Sequence, residues 1–281
     1  MNISQEIVND LVLSVPDNLT AEDPPAQIRE DGRAPAYRWG ARFLLFPSRE
    51  EDVERLERAH RWTAEATALL RDAHIAVPTP RYRGEPSKIW PHPWYVTDAV
   101  GGRPLHTVEP DGRGRIARDL AVAVAVLHVD APPSAPDIPP LSPWDAKIER
   151  DAVRGADRLT EMIELGARVP PWQGNPVWCH GNLNPATIAV HDTSLSGLID
   201  FGALGRGDPA VDYAAFFLCF TPSQREDARV ILRTIGAPDD DDLWIRARAW
   251  AARTALTLLA SHQPDMSAVG RQACELVLES A

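Results

Sequence analysis

Lysine is nearly missing from this sequence. Of 29 basic residues only Lys88 and Lys147 are lysines; the rest are arginine. Any chemistry that needs a lysine ammonium therefore has two candidates in 281 residues. Cysteine is scarce too: Cys179, Cys219 and Cys274 are odd in number, widely spaced and set among apolar residues. That excludes a disulfide framework and shows no metal-ligand spacing, so they read as small buried residues of a reducing compartment. No apolar run approaches the roughly 18 residues that span a bilayer, and no basic segment followed by an apolar core opens the chain. The expectation is a soluble, cytoplasmic protein. No internal repeat or low-complexity segment is visible. Acidic residues outnumber basic ones by 40 to 29, a formal net charge of -11. That argues against nucleic acid or an anionic membrane as the main partner and is compatible with a small cationic ligand.

What is present is a series of periodic segments. Ile3, Ile7, Val8, Leu11, Val12 and Val15 have helical spacing ending at Pro16. Residues 21–36 are rich in proline and charge and read as a connector. Residues 37–46 alternate about Gly40 as a short hairpin. Ser48-Arg49-Glu50-Glu51 reads as a capping box opening a helix. Strand-like segments follow near residues 77–80 and 94–97, then Gly101-Gly102 as a hinge or crossover. Beyond it, helices are expected over 115–128, 146–165, a stretch opening at 207–213, 222–236, 239–259 and 266–278, with proline-rich irregular chain over 130–143. Trp244 and Trp250 beside Asp239 to Asp242 either frame a ligand pocket or are packed helix faces above a charged cap. The order is α+β in two lobes, residues 1–97 and 98–281, with a cleft between them.

The organising stretch runs from Cys179 to Gly202. Two apolar runs, Ile188-Ala189-Val190 and Leu195 to Ile199, flank the turn His191-Asp192-Thr193-Ser194, a hairpin with a polar loop before it and Asp200 after it. Polar groups at both mouths of one hairpin converge on one spot.

These residues resemble the aminoglycoside and macrolide phosphotransferase family, small-molecule kinases sharing the protein-kinase fold. The family reads close to HGDLHPGNLL, a hairpin, then IDFGxxGxGDPAxDLA; this chain reads HGNLNPATIA, then LIDFGALGRGDPAVDYA. The resemblance implies a protein-kinase-like fold with a small strand-containing N-lobe and a larger helical C-lobe, and ATP or GTP with Mg2+ as cofactors. Function still has to be argued from the site.

Phosphoryl transfer needs a cation on the nucleotide phosphates, a partner for it, two metal ligands and a carboxylate facing the acceptor hydroxyl. By the resemblance the catalytic carboxylate falls at Asn182, whose amide cannot accept a proton. The second metal ligand falls at Thr187, and Asn184 and Ala186 replace the usual His and Gly. The phosphate-anchoring cation would stand in Leu44-Leu45-Phe46-Pro47, where no basic residue occurs; Arg42 is the nearby substitute. Its acidic partner would lie near Ala59, with Glu57 turned off that face by the helical rotation. The turn Gly32-Arg33-Ala34-Pro35-Ala36 has one glycine with which to cover phosphates. Asp200 keeps the metal-binding position; His180 is retained as a loop-supporting hydrogen bonder and Asp212 as a helix-start acid, His180 being the other titratable group at the site. Three readings follow. One is a pseudokinase or repurposed small-molecule-binding protein. The second is an active antibiotic or metabolite O-phosphotransferase using Asn182, Arg42, Thr187 and Asp200. The third is a nucleotide-independent enzyme working through Asp200 and His180.

Overall fold

A computed structural model describes residues 3–29, 35–143 and 155–279. The chain runs through α1 (Gln5–Val12), β1 (Ala26–Arg29), β2 (Ala36–Trp39), β3 (Arg42–Leu45), α2 (Glu50–Ala66), α3 (Ala68–Asp72), β4 (Pro80–Gly84) and β5 (Trp94–Asp98). It continues through β6 (Arg103–Pro104), α4 (Gly114–Leu127), α5 (Ala156–Arg168), β7 (Val177–Cys179), β8 (Ile188–His191), β9 (Ser194–Leu198) and β10 (Gly205–Gly207). Four helices close it: α6 (Ala210–Cys219), α7 (Pro222–Thr234), α8 (Asp241–Leu259) and α9 (Pro264–Leu278). This is a mixed α/β fold, strand-rich in its first third and helical afterwards.

The first five strands form an antiparallel sheet in the order β1-β2-β3-β5-β4. Ser4 caps α1 by accepting from the Ile7 N–H. Val8 and Leu11 of α1 then bury against Tyr37, Trp39, Leu44 and Phe46, with Trp90 and Trp94 completing this smaller core. The larger core gathers Leu120, Val124 and Leu127 of α4, Ala210 and residues 213–219 of α6, and Leu243, Ala247, Ala251 and Ala255 of α8. Apart from Asp212, α6 is apolar on every face, and it is buried all round. Trp244 belongs to this core, packed on Tyr213, Phe216 and Phe217 rather than lining open space. Asp240 caps α8 through the Leu243 N–H, and Asp239 binds Arg229 and Arg233.

Three details differ from the sequence reading. The supposed connector over 21–36 contains β1, an edge strand whose Gln27 and Ile28 are exposed, so no apolar alternation marks it. The helix after Ser48 has Arg49 at its N-cap without a side-chain capping bond. Arg49 instead pairs with the buried Asp52, so the acids of the first turn work through the helix dipole and this pair. The strand expected at 77–80 begins at Pro80, where the missing N–H is tolerated at a strand start. The helix expected over 146–165 lies partly outside the described residues and is seen from Ala156 onward.

From β5 the chain passes Gly101-Gly102 into β6, which pairs with β8. Ser196 of β9 donates to the Gly101 carbonyl at 2.8 Å. Ala76, in the segment after α3, bridges to Gly197 of the same hairpin. The hairpin is thus fastened to both ends of the segment carrying β4 and β5, and its open end lies under α2.

Candidate functional site

The loop from Cys179 to Thr187 is shaped from below by Asp212. Its carboxylate is fully buried and accepts from the backbone N–H groups of His180 (2.7 Å) and Gly181 (2.8 Å) and from His128 Nε2 (3.1 Å). Gly181 is in the left-handed region at φ 77°, and a Cβ there would stand 2.4 Å from the Ala203 carbonyl oxygen, so only glycine fits. His180 is buried as well. Its Nε2 donates to the Ile199 carbonyl at 2.9 Å and its Nδ1 accepts from the Asn182 N–H at 3.3 Å. That pairing is the neutral Nε2–H tautomer, and burial lowers the imidazole pKa in agreement with it. Its ring packs on Phe201 at 4.4 Å.

Above this support runs a directed chain of amides. The Ala186 N–H donates to Asn184 Oδ1 (2.9 Å), which fixes the orientation of that side chain. Asn184 Nδ2 therefore faces the backbone oxygen (3.0 Å) and Oδ1 (3.1 Å) of Asn182. Asn182 Nδ2 is left to face Asp200 Oδ2 at 3.3 Å. Thr187 is closed on itself: its hydroxyl accepts from the Asn184 N–H (3.0 Å) and donates to the Asn182 carbonyl (2.8 Å), and the residue is buried.

Asp200 stands at φ 65°, ψ 63°, at the end of β9. Its carboxylate meets a residue that the sequence reading missed, Arg55 of α2, whose Nη2 lies 2.9 Å from Oδ1 and 3.1 Å from Oδ2. A signal was available. Arg55 is one helical turn before Ala59, on the face where the resemblance expects an acid. Gly202 follows from the same packing, since a Cβ there would lie 3.0 Å from Arg55 Nε and 3.2 Å from Arg55 Cβ.

Two other sequence-selected groups sit elsewhere. Arg42 sends Nη1 to the Leu19 carbonyl (3.2 Å) and Nε towards Asp98 (3.9 Å). It shares the strand face of Leu44, which packs in the α1 core, so its guanidinium and Asp200 are not brought together. Glu57, expected to point away, faces the sheet and holds Arg83 of β4 at 2.8 Å from Nε and 2.7 Å from Nη2. Burial alone would raise the Glu57 carboxyl, but the Arg83 hydrogen bonds outweigh it and hold it below its ordinary value. An α2-to-sheet ion pair therefore exists, drawing its cation from the edge strand. Of the turn at 32–36, residues 32–34 lie outside the described residues.

The donor set does not fit a divalent metal. Mg2+ asks for hard oxygens in near-octahedral order, usually one or two carboxylates with substrate phosphates. Here one carboxylate is present, both of its oxygens already receive N–H donors, Thr187 is turned into the loop, and Asn182 presents its NH2 group. Among the described residues the one trio of convergent ligating side chains is His128, Cys179 and Asp212, with atoms within 4.8 Å of one another. Asp212 is filled by N–H donors and burial pushes the Cys179 thiol well up, so this trio is a buttress under the loop.

A family model described as phosphotransferase enzyme family matches residues 26–250. Among solved structures, the GDP and kanamycin complex of APH(2")-IIia is 18% identical with a TM-score of 0.64, over 96% of this chain and 97% of that one. The macrolide 2'-phosphotransferase MphH from Brachybacterium faecium is 21% identical with a TM-score of 0.60, over 96% and 97%. Macrolide 2'-phosphotransferase type I is 16% identical with a TM-score of 0.62, over 96% and 98%. At these identities the likeness is one of fold. No curated protein matches the chain. No helix among the described residues is long and apolar enough to cross a membrane.

Proposed function

The chain belongs to the phosphotransferase enzyme family, and from that premise we propose that it is a small-molecule-binding member that does not transfer phosphate by the family's mechanism. One observation carries the reading. The amide at residue 182 is locked, oxygen to Asn184 and nitrogen to Asp200, so it presents an N–H donor where a proton acceptor is needed. Loss of a general base typically removes about 10²–10⁴ in rate. The missing cation in the Leu44-Leu45-Phe46 segment removes a further part of the same unit.

The ligand class follows from the family and the charge. APH(2")-IIa has been solved with gentamicin, and in a ternary complex with streptomycin and ATP. A chain of net charge -11 suits a cationic small molecule of that kind. Residues 1–97 and 98–281 would close on it as two lobes.

The test is product formation. Purified protein with Mg2+, ATP or GTP and a panel of aminoglycosides and macrolides should give no phosphorylated product by mass spectrometry. Turnover in the range of about 1–100 s⁻¹ common to kinases would sink the reading. Asn182→Asp, run in parallel, should stay inactive; restored turnover there would show the rest of the machinery to be intact.

A further inference from the structure

The Asp200 carboxylate is 36% exposed and already has a cationic partner. Arg55 places a single nitrogen against both carboxylate oxygens, at 2.9 and 3.1 Å, while Asn182 Nδ2 approaches Oδ2 at 3.3 Å. The arrangement is built from three separate elements. Arg55 comes from the second turn of α2, Asp200 from the end of β9, and Asn182 from the loop after β7. The orientation of the Asn182 amide is dictated from behind by the Ala186 N–H through Asn184. Gly202 leaves the space through which the Arg55 side chain passes.

We propose that Arg55 is the resident cation of this site: its guanidinium stands where a divalent metal would stand, so the cleft binds neither Mg2+ nor Mn2+ at Asp200. A metal would have to evict the guanidinium and then hold on through one carboxylate. The remaining neighbours are a nitrogen donor and a threonine hydroxyl spent inside its own loop. Divalent ions of this class are retained by several oxygens, and here they find one acidic group. The inference goes beyond the missing base. A protein that binds metal at Asp200 yet transfers no phosphate would overturn it and leave the proposed function standing.

Mn2+ binding read by electron paramagnetic resonance tests this without reference to catalysis. Wild-type protein at millimolar Mn2+ should show no bound ion that Asp200→Asn removes. Asn182→Asp supplies a second carboxylate beside the first but leaves Arg55 in place. Arg55→Gln/Asn182→Asp supplies the carboxylate and removes the guanidinium. The double variant should bind Mn2+ at least tenfold more tightly than Asn182→Asp alone, and Asp200→Asn in that background should abolish the gain. Arg55 and Asp200 are 46% and 36% exposed, so solvent screens the charges these variants leave, and circular dichroism should show each of them folded. A wild-type Mn2+ signal lost in Asp200→Asn overturns the proposal. So does equal Mn2+ affinity in Asn182→Asp and in the double variant.

Discussion

Asp212 shows how much of the site rests on one residue that never meets a ligand. Its two oxygens take two successive backbone N–H groups and a histidine, all away from water. Hydrogen bonds to a buried charge are worth more than neutral ones, and an isosteric amide would set an NH2 group against a donor. Asp212→Asn should therefore cost about 3 kcal/mol, read as a lower urea midpoint at unchanged slope. Amide exchange at His180 and Gly181 should speed up beyond the global change. The sequence displays Asp212 plainly, as part of a Gly-Asp-Pro-Ala-Val-Asp segment, and marks it as an acid in the first turn of a helix, but its hold on the His180 and Gly181 backbone comes only with the fold. Arg55 stayed hidden because it is one of three arginines on a helix of mixed charge. A guanidinium reaches far enough that its partner, 145 residues away, is set by packing and not by spacing.

At the level of elements, legibility followed apolar periodicity. The helices over 114–127, 210–219, 241–259 and 264–278 and the hairpin of β8 and β9 carry strong repeats, and they appear close to where the pattern sets them. Elements held by polar or edge interactions were harder. β1 is an exposed edge, and the true capping box lies at Thr221 and Gln224 of α7 rather than at Ser48. Among the described helices, only at Thr221 are both reciprocal bonds made. Thr221→Ala should lower stability by about 1 kcal/mol, seen as a shift in the thermal midpoint with no change in ligand binding. Glu57 shows a different limit. A rotation of one residue moves a side chain off one strand, and a long side chain then meets the next strand's arginine.

For the whole molecule, titration gives the broadest forecast. Burial lowers the pKa of His60, His106 and His180 from an ordinary value near 6.5. The unfolded chain therefore binds these protons more readily, and the stability they contribute is complete above about pH 6.5 and declines as pH falls. Glu57 and Asp239 are held below their ordinary values of 4.5 and 3.8 by arginine partners that outweigh their burial, so their contribution fades only at still lower pH. Urea midpoints should thus drop between about pH 6.5 and 4.5 because of histidines, before carboxylates contribute. A flat profile in that interval would show that the buried His180 and the half-buried His60 and His106 are not shielded from water. The mixed α/β plan and the family were readable from the sequence; the contact between α2 and Asp200 was not, because it depends on which long side chains meet after folding. That wiring also limits how the chain can change. Restoring a carboxylate at 182 alone sets two like charges side by side under a single guanidinium. Removing Arg55 alone strips Asp200 of its partner without creating a metal site. Each single step leaves an uncompensated charge, and changing both ends leaves two carboxylates that only a bound divalent ion would neutralise, so the Arg55–Asp200–Asn182 contact works as a ratchet in sequence space.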